Sequence, residues 1–244
     1  ILLMHFNNES AFGENATGGD GDIVYDFSPD VNTDDNRDKE PHNNGTTKNG
    51  ATINKTSYKF GGGAGEFDGT NDYIDLGDVF DFAGNEAFTV SLWASTDITT
   101  PSGWPRIVSK EVPSGTRQGW LIFHQDSTGK IGFERFRDNS ADGIASTTVL
   151  NSDYTHIAAV YGSSLMELYI NGVRENSVAS TKSMTDHANP FRIGVDSTYA
   201  NAYGFDGSID EVSIWNRSLS ADKILKLYKR GALRLNLSVR SCDD

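Results

Sequence analysis

The chain has 244 residues, 34 Asp and Glu against 21 Lys and Arg for a formal charge of −13, 36% hydrophobic residues and a single Cys. That length suits one large β-type domain or two small ones, able to bury roughly 70–75% of the unfolded surface, and excludes a miniprotein held by disulfides. The acidic balance excludes a sequence-independent nucleic-acid binder, which needs clustered Lys and Arg, and suits cations; no apolar run nears the roughly 18 residues that span a bilayer.

Ile1 to Phe6 is a first apolar strand, followed by a polar stretch from Asn7 to about Ser57 that is dense in Asp, Asn and Gly and broken by Asp22-Ile23-Val24-Tyr25-Asp26. Such composition forms no core alone and reads as a loop or insertion draped on one. Inside it, the run Asp30 to Asp38 alternates oxygen-bearing side chains like the start of an EF-hand loop, but has no Gly at the turn and no closing Glu, so it reads as a solvated acidic loop. Strand signals then recur. Glu66 to Leu76 combines the turn former Asp68-Gly69 with alternating residues, and Phe88, Val90, Leu92 and Ala94 alternate with Thr89, Ser91, Trp93 and Ser95, the first set facing inward. Further strands are predicted over 106–110, 119–124, 130–136, 156–161, 165–170, 191–195 and 207–216.

Asn171-Gly172, between Met166–Ile170 and Val173–Glu175, predicts a two-residue hairpin, because a type I′ turn needs φ > 0 at both central positions. One helix is predicted over 221–230, with Ser220 as N-cap, apolar residues at 224, 227 and 228, and Gly231 as its stop. Leu233, Leu235, Leu237 and Val239 alternate with polar residues after it, so 232–244 reads as a linker or the start of a following, truncated domain, with Cys242 near its end. The chain is an all-β domain.

Five segments occur in a familiar order: Phe67 to Ile74, Phe88 to Trp93, Thr155 to Tyr161, Leu168 to Gly172 and Phe205 to Ser220. With them the chain resembles the laminin-G-like domains of the concanavalin A-like lectin/glucanase superfamily over residues 1–231, departing from the pattern at an acidic insertion over about 29–41. The resemblance implies a two-sheet antiparallel jelly-roll sandwich with one short C-terminal helix. It also implies a module of a large secreted or surface-anchored protein, often with a structural calcium ion, whose ligand is a glycan or an extracellular protein. Asn-x-Ser/Thr sequons at Asn8, Asn15, Asn44, Asn54, Asn216 and Asn236 favour the same extracellular location.

The superfamily also carries glycoside hydrolases, so function is read from residues rather than fold. In the Ser208 to Ser213 segment, Ser208 stands where the related hydrolases keep a nucleophilic Glu, and Asp210 and Glu211 point to opposite faces of a strand, so the carboxylate pair is missing. The five His residues show no metal-site spacing, and His156 reads as a core imidazole. In the resembled family the first and last strands lie close together, which implies calcium held by Asn8, Asn44 and Asp210 with carbonyl help. For a sugar, Trp104, Trp120, Tyr199 and Tyr203 are the candidate platforms, with Arg106, Arg135 and Arg137 as donors. Two functions stay open at this point: a glycan-binding or adhesive module, and a structural spacer or protein-interaction module.

Overall fold

Alternation along 88–95 sets the layering: Phe88, Val90, Leu92 and Ala94 are wholly buried in one apolar core. In a computed structural model of the chain, the described residues are 2–4, 6, 20–24, 43–113, 115–197 and 203–232. Their elements are β1 (Leu2–Met4), β2 (Ile23–Val24), β3 (Gly45–Lys48), β4 (Thr52–Asn54), β5 (Ala64–Asp68), β6 (Tyr73–Asp75), β7 (Phe88–Ser95), β8 (Arg106–Val112), β9 (Gln118–His124), β10 (Lys130–Arg137), β11 (Ser140–Val149), β12 (Thr155–Gly162), β13 (Leu165–Ile170), β14 (Val173–Ala179), β15 (Arg192–Ile193), β16 (Asp206–Trp215) and α1 (Ala221–Ala232). They form two 8-stranded sheets. The first runs β14-β13-β12-β7-β16-β5-β4 with β1 also on β16, and the second runs β11-β10-β9-β8-β15-β6-β3-β2. Neighbouring strands pair antiparallel throughout, for instance Leu2 with Ile214 and Phe133 with Ile122. This is the expected two-sheet antiparallel sandwich, with a single short helix among the described residues.

Between the sheets, Phe88 stacks on Phe82 at 4.5 Å and meets Trp120 at 5.2 Å, and Trp120 lies 5.6 Å from Phe191. Trp120 therefore belongs to the core and not to a sugar platform: it is 0% exposed, and its indole N–H donates to Phe80 O at 2.9 Å. The hairpin at Asn171-Gly172 forms as expected, with φ of 50° and 78° and Ile170 paired with Val173. The polar stretch before Ser57 departs from expectation. Its Gly45–Lys48 and Thr52–Asn54 segments are strands, recruited by β6 and β5 in the two sheets rather than by any apolar pattern of their own. The insertion over 29–41 and the segment after 232 lie outside the described residues, and α1 runs to Ala232, past the Gly231 expected to end it.

The outward faces of the two sheets are treated differently. The α1 helix begins with Ser220 O accepting from Lys223 and Ile224 N–H, and lays Ile224 and Leu227 over Ala158, Val160 and Tyr169 of the first sheet. Along β9 and β10 of the second sheet, Trp120, Ile122, Ile131 and Phe133 face the core, while Leu121, Phe123 and Phe136 form a separate apolar cluster on the opposite side. That second face carries a groove.

Candidate functional site

The groove has a volume of about 310 Å³ and is lined by Trp104, Arg106, Pro113, Arg117, Phe123, Glu134 and Tyr203. Its floor is Phe123, which lies across Gly132 of the neighbouring strand, where an added Cβ would come within 2.1 Å of the ring. Gly132 thus lets an aromatic side chain lie flat on the sheet. Trp104 stands on the loop before β8 with its ring centroid 5.4 Å from that of Phe123, edge to face, and remains 41% exposed.

One carboxylate organises the basic wall. Glu111, fully buried on β8, accepts from Arg106 Nε at 2.7 Å through one oxygen and from Arg117 Nη2 at 3.0 Å through the other. Each guanidinium also lies over a ring: Arg106 is 4.5 Å from the centre of Tyr203, and Arg117 is 3.6 Å from that of Phe136. Arg106 N–H further donates to Tyr203 O at 2.9 Å, which ties the Tyr203 backbone to β8. Arg117 Nε is buried with no partner among the described residues. The carboxylate of Glu134, projecting from β10, makes no hydrogen bond or ion pair among the described residues. Burial raises its carboxyl above the usual range, against the opposing pull of Arg117 and Arg106.

Of the residues expected to take a ligand, Trp104, Arg106 and Tyr203 come together here, and Tyr199 lies outside the described residues. Arg135 is turned the other way, its guanidinium 3.3 Å from the Tyr161 ring and hydrogen-bonded to Ser180 Oγ and Lys182 O, and Arg137 bonds Asp138 and Ser183 O. Sequence reasoning missed Glu111, Arg117, Phe123 and Glu134. A signal existed: 119–123 is apolar on both faces, so whatever faced away from the core had to be covered or had to hold something.

Of the residues expected to hold calcium, the two that are described, Asp210 and Asn44, are set apart in opposite sheets. Asp210 Oδ2 accepts from the Lys59 and Phe60 amides at 2.8 and 2.9 Å, Oδ1 accepts from Glu211 N–H at 2.8 Å, and the residue is 0% exposed. Burial pushes its carboxyl up to about 7 in spite of those donors. A hard cation needs ionised oxygens facing it, whereas these face amides, so Asp210 as placed does not fit a calcium ligand. Asn44 is exposed at the start of β3, in the opposite sheet from Asp210, and Asn8 lies outside the described residues. Among the described residues there is no group of three or more His, Cys, Asp or Glu able to hold a metal ion. Neighbouring Ser208 donates to Glu66 at 2.9 Å.

A laminin-G-type family model, described as the concanavalin A-like lectin/glucanases superfamily, matches residues 68–225, more than half of the chain. The chain belongs to that superfamily. No curated protein sequence matches it. Among solved structures, this concanavalin A-like domain is similar to the binding domain of Paraclostridial Mosquitocidal Protein 1, with a TM-score of 0.65, 15% identity, and coverage of 94% of this chain and 52% of that one. It is also similar to the botulinum neurotoxin serotype D ligand-binding domain solved with N-acetylneuraminic acid, with a TM-score of 0.65, 17% identity, and coverage of 96% of this chain and 51% of that one. Domain 4 of an extracellular GH43 arabinanase from Geobacillus stearothermophilus, solved with arabinotriose, gives a TM-score of 0.57 and 18% identity, over 75% of this chain and 87% of that one. The chain thus spans about half the length of the toxin domains, and at these identities the likeness is one of fold.

Proposed function

We propose that this domain is a non-catalytic glycan-binding module whose ligand lies in the groove between Trp104, Tyr203 and Glu134. The observation that carries the reading is the exposed Trp104 ring held edge-on against Phe123 beside two anchored arginines. A pyranose or furanose offers an apolar face for such a ring and hydroxyls for fixed polar groups. Glu134 supplies an acceptor. Because the guanidiniums are already oriented by Glu111 and their rings, little side-chain freedom is lost when a sugar binds.

The non-catalytic part of the reading rests on Glu111. Glycoside hydrolysis takes two carboxyl groups flanking the scissile bond, and both oxygens of Glu111 are engaged by arginines, which leaves Glu134 as the only groove carboxylate open to a ligand among the described residues. The arabinotriose and N-acetylneuraminic acid bound by the similar domains support a sugar ligand in kind. An extracellular setting accompanies it: Asn44 and Asn216 are exposed, while the Asn54 amide donates to Glu66 at 2.9 Å. A glycan array probed with the whole chain, followed by calorimetry on the hits, tests the proposal. Binding to oligosaccharides that weakens about five- to thirtyfold in Trp104→Ala is expected, and release of reducing ends from a bound polysaccharide would overturn the non-catalytic reading.

A further inference from the structure

Building on the glycan reading of the groove, we infer that it selects uncharged sugars and rejects carboxylated or sulfated ones, with Glu134 as the specificity-determining residue. Two arginines beside an aromatic platform suggest an anion site at first sight. The geometry argues against it. Arg106 and Arg117 both converge on Glu111, at 2.7 and 3.0 Å, so one carboxylate occupies donors that an acidic sugar would need. Each guanidinium is further fixed over a ring, Tyr203 for one and Phe136 for the other, so neither swings outward without losing that contact as well as its ion pair.

Glu134 is the charged group of the groove left without an ion pair or hydrogen bond among the described residues. Its oxygens accept; they suit the hydroxyls of a neutral sugar and repel a second anion, and partial burial weakens the screening between them. The charge of the whole chain, −13, acts in the same direction on approach. Selection of this kind comes from a repulsive element placed in a site that is otherwise accommodating.

The test uses the full chain on an array that pairs neutral oligosaccharides with their uronic-acid, sialylated and sulfated counterparts, with affinities of matched pairs then measured by calorimetry. Neutral members are expected to bind about tenfold or more tighter than their anionic partners, and Glu134→Gln is expected to narrow that ratio about threefold or more by admitting the anionic ones. Anionic members that bind the native chain as tightly as neutral ones overturn the inference, and so does a ratio that Glu134→Gln leaves unchanged. Should Glu134→Gln not fold, the ratio for the native chain must shrink between about 0.1 M and about 1 M NaCl, where the screening length drops from about 10 to about 3 Å, and a salt-independent ratio overturns the inference. If the native chain binds no sugar of either kind, the glycan reading itself falls, an outcome distinct from loss of selectivity.

Discussion

Two tryptophans show how little residue type decides by itself. Trp104 and Trp120 were equal candidates for a sugar platform, yet one is 41% exposed at the groove and the other 0% exposed in the core. Trp104→Ala is expected to weaken glycan binding by about 1–2 kcal/mol, about five- to thirtyfold in Kd, with the melting temperature nearly unmoved; calorimetry with scanning fluorimetry checks both. Trp120→Ala removes a ring that touches Phe82, Phe88 and Phe191, and is expected to cost about 3–5 kcal/mol in urea unfolding. Glu111 offers a third contrast. Glu111→Gln leaves the nearly buried Arg106 without its countercharge, with an expected cost of about 3 kcal/mol and loss of groove binding, since both arginines lose their anchor.

At the scale of elements, the outer face of the first sheet is a row that runs across three strands. Asp210 pairs with Trp93 and Trp93 with His156, so their side chains stand side by side on β16, β7 and β12. The Trp93 ring is covered by Phe60 edge-on at 5.8 Å and by Tyr228 of α1 stacked at 5.7 Å. His156, 1% exposed with Nε2 2.9 Å from Ser91 Oγ, is lowered to about 4 by burial first and by Lys59 second. Neutral when folded, it takes a proton in the unfolded chain near 6.5, so its contribution to stability is present above that pH and is lost as pH falls towards about 4. Asp210, raised to about 7, has the opposite sign: its contribution is complete below about 4 and is lost as pH rises through about 7. The unfolding free energy of the native chain minus that of His156→Gln is therefore expected to fall by about 2–3 kcal/mol from pH 7 to pH 4.5. The same difference taken with Asp210→Asn should move the other way, and urea titrations at the two pH values decide. The helix expected over 221–230 was legible because its cap and apolar spacing are local, although it runs on past Gly231 to Ala232. Strands β3 and β4 were not, because GTTK and TIN become strands only through their pairing with β6 and β5.

For the whole molecule, the superfamily match begins at residue 68, but the sandwich does not. Leu2 and Met4 of β1, Ile53 of β4 and Phe67 of β5 are core residues, and β1 pairs with β16 near the far end of the chain. A fragment trimmed to 68–225 is expected to lose cooperative unfolding and near-ultraviolet dichroism, since it exposes that apolar surface and leaves part of β16 and β6 unpaired. A fragment that unfolds cooperatively with the midpoint of the full chain would show the N-terminal strands to be accessory.

Alternation, turn residues and caps are written within a few positions of one another, so the all-β class, the five segments, the Asn171-Gly172 hairpin and the helix from Ala221 are legible in the chain alone. Which aromatic rings line the groove and which fill the core is settled by tertiary packing, since 119–123 is apolar at both parities and a period of two carries no information there. That packing alone paired Asp210 with the amides of Lys59 and Phe60, 151 and 150 positions away, and so turned an expected metal ligand into a loop anchor. The groove belongs to the same class of fact: Arg106, Glu134 and Tyr203 come from β8, β10 and the segment before β16, and neighbourhood between strands is fixed by packing two faces against one core, not by any local run of residues.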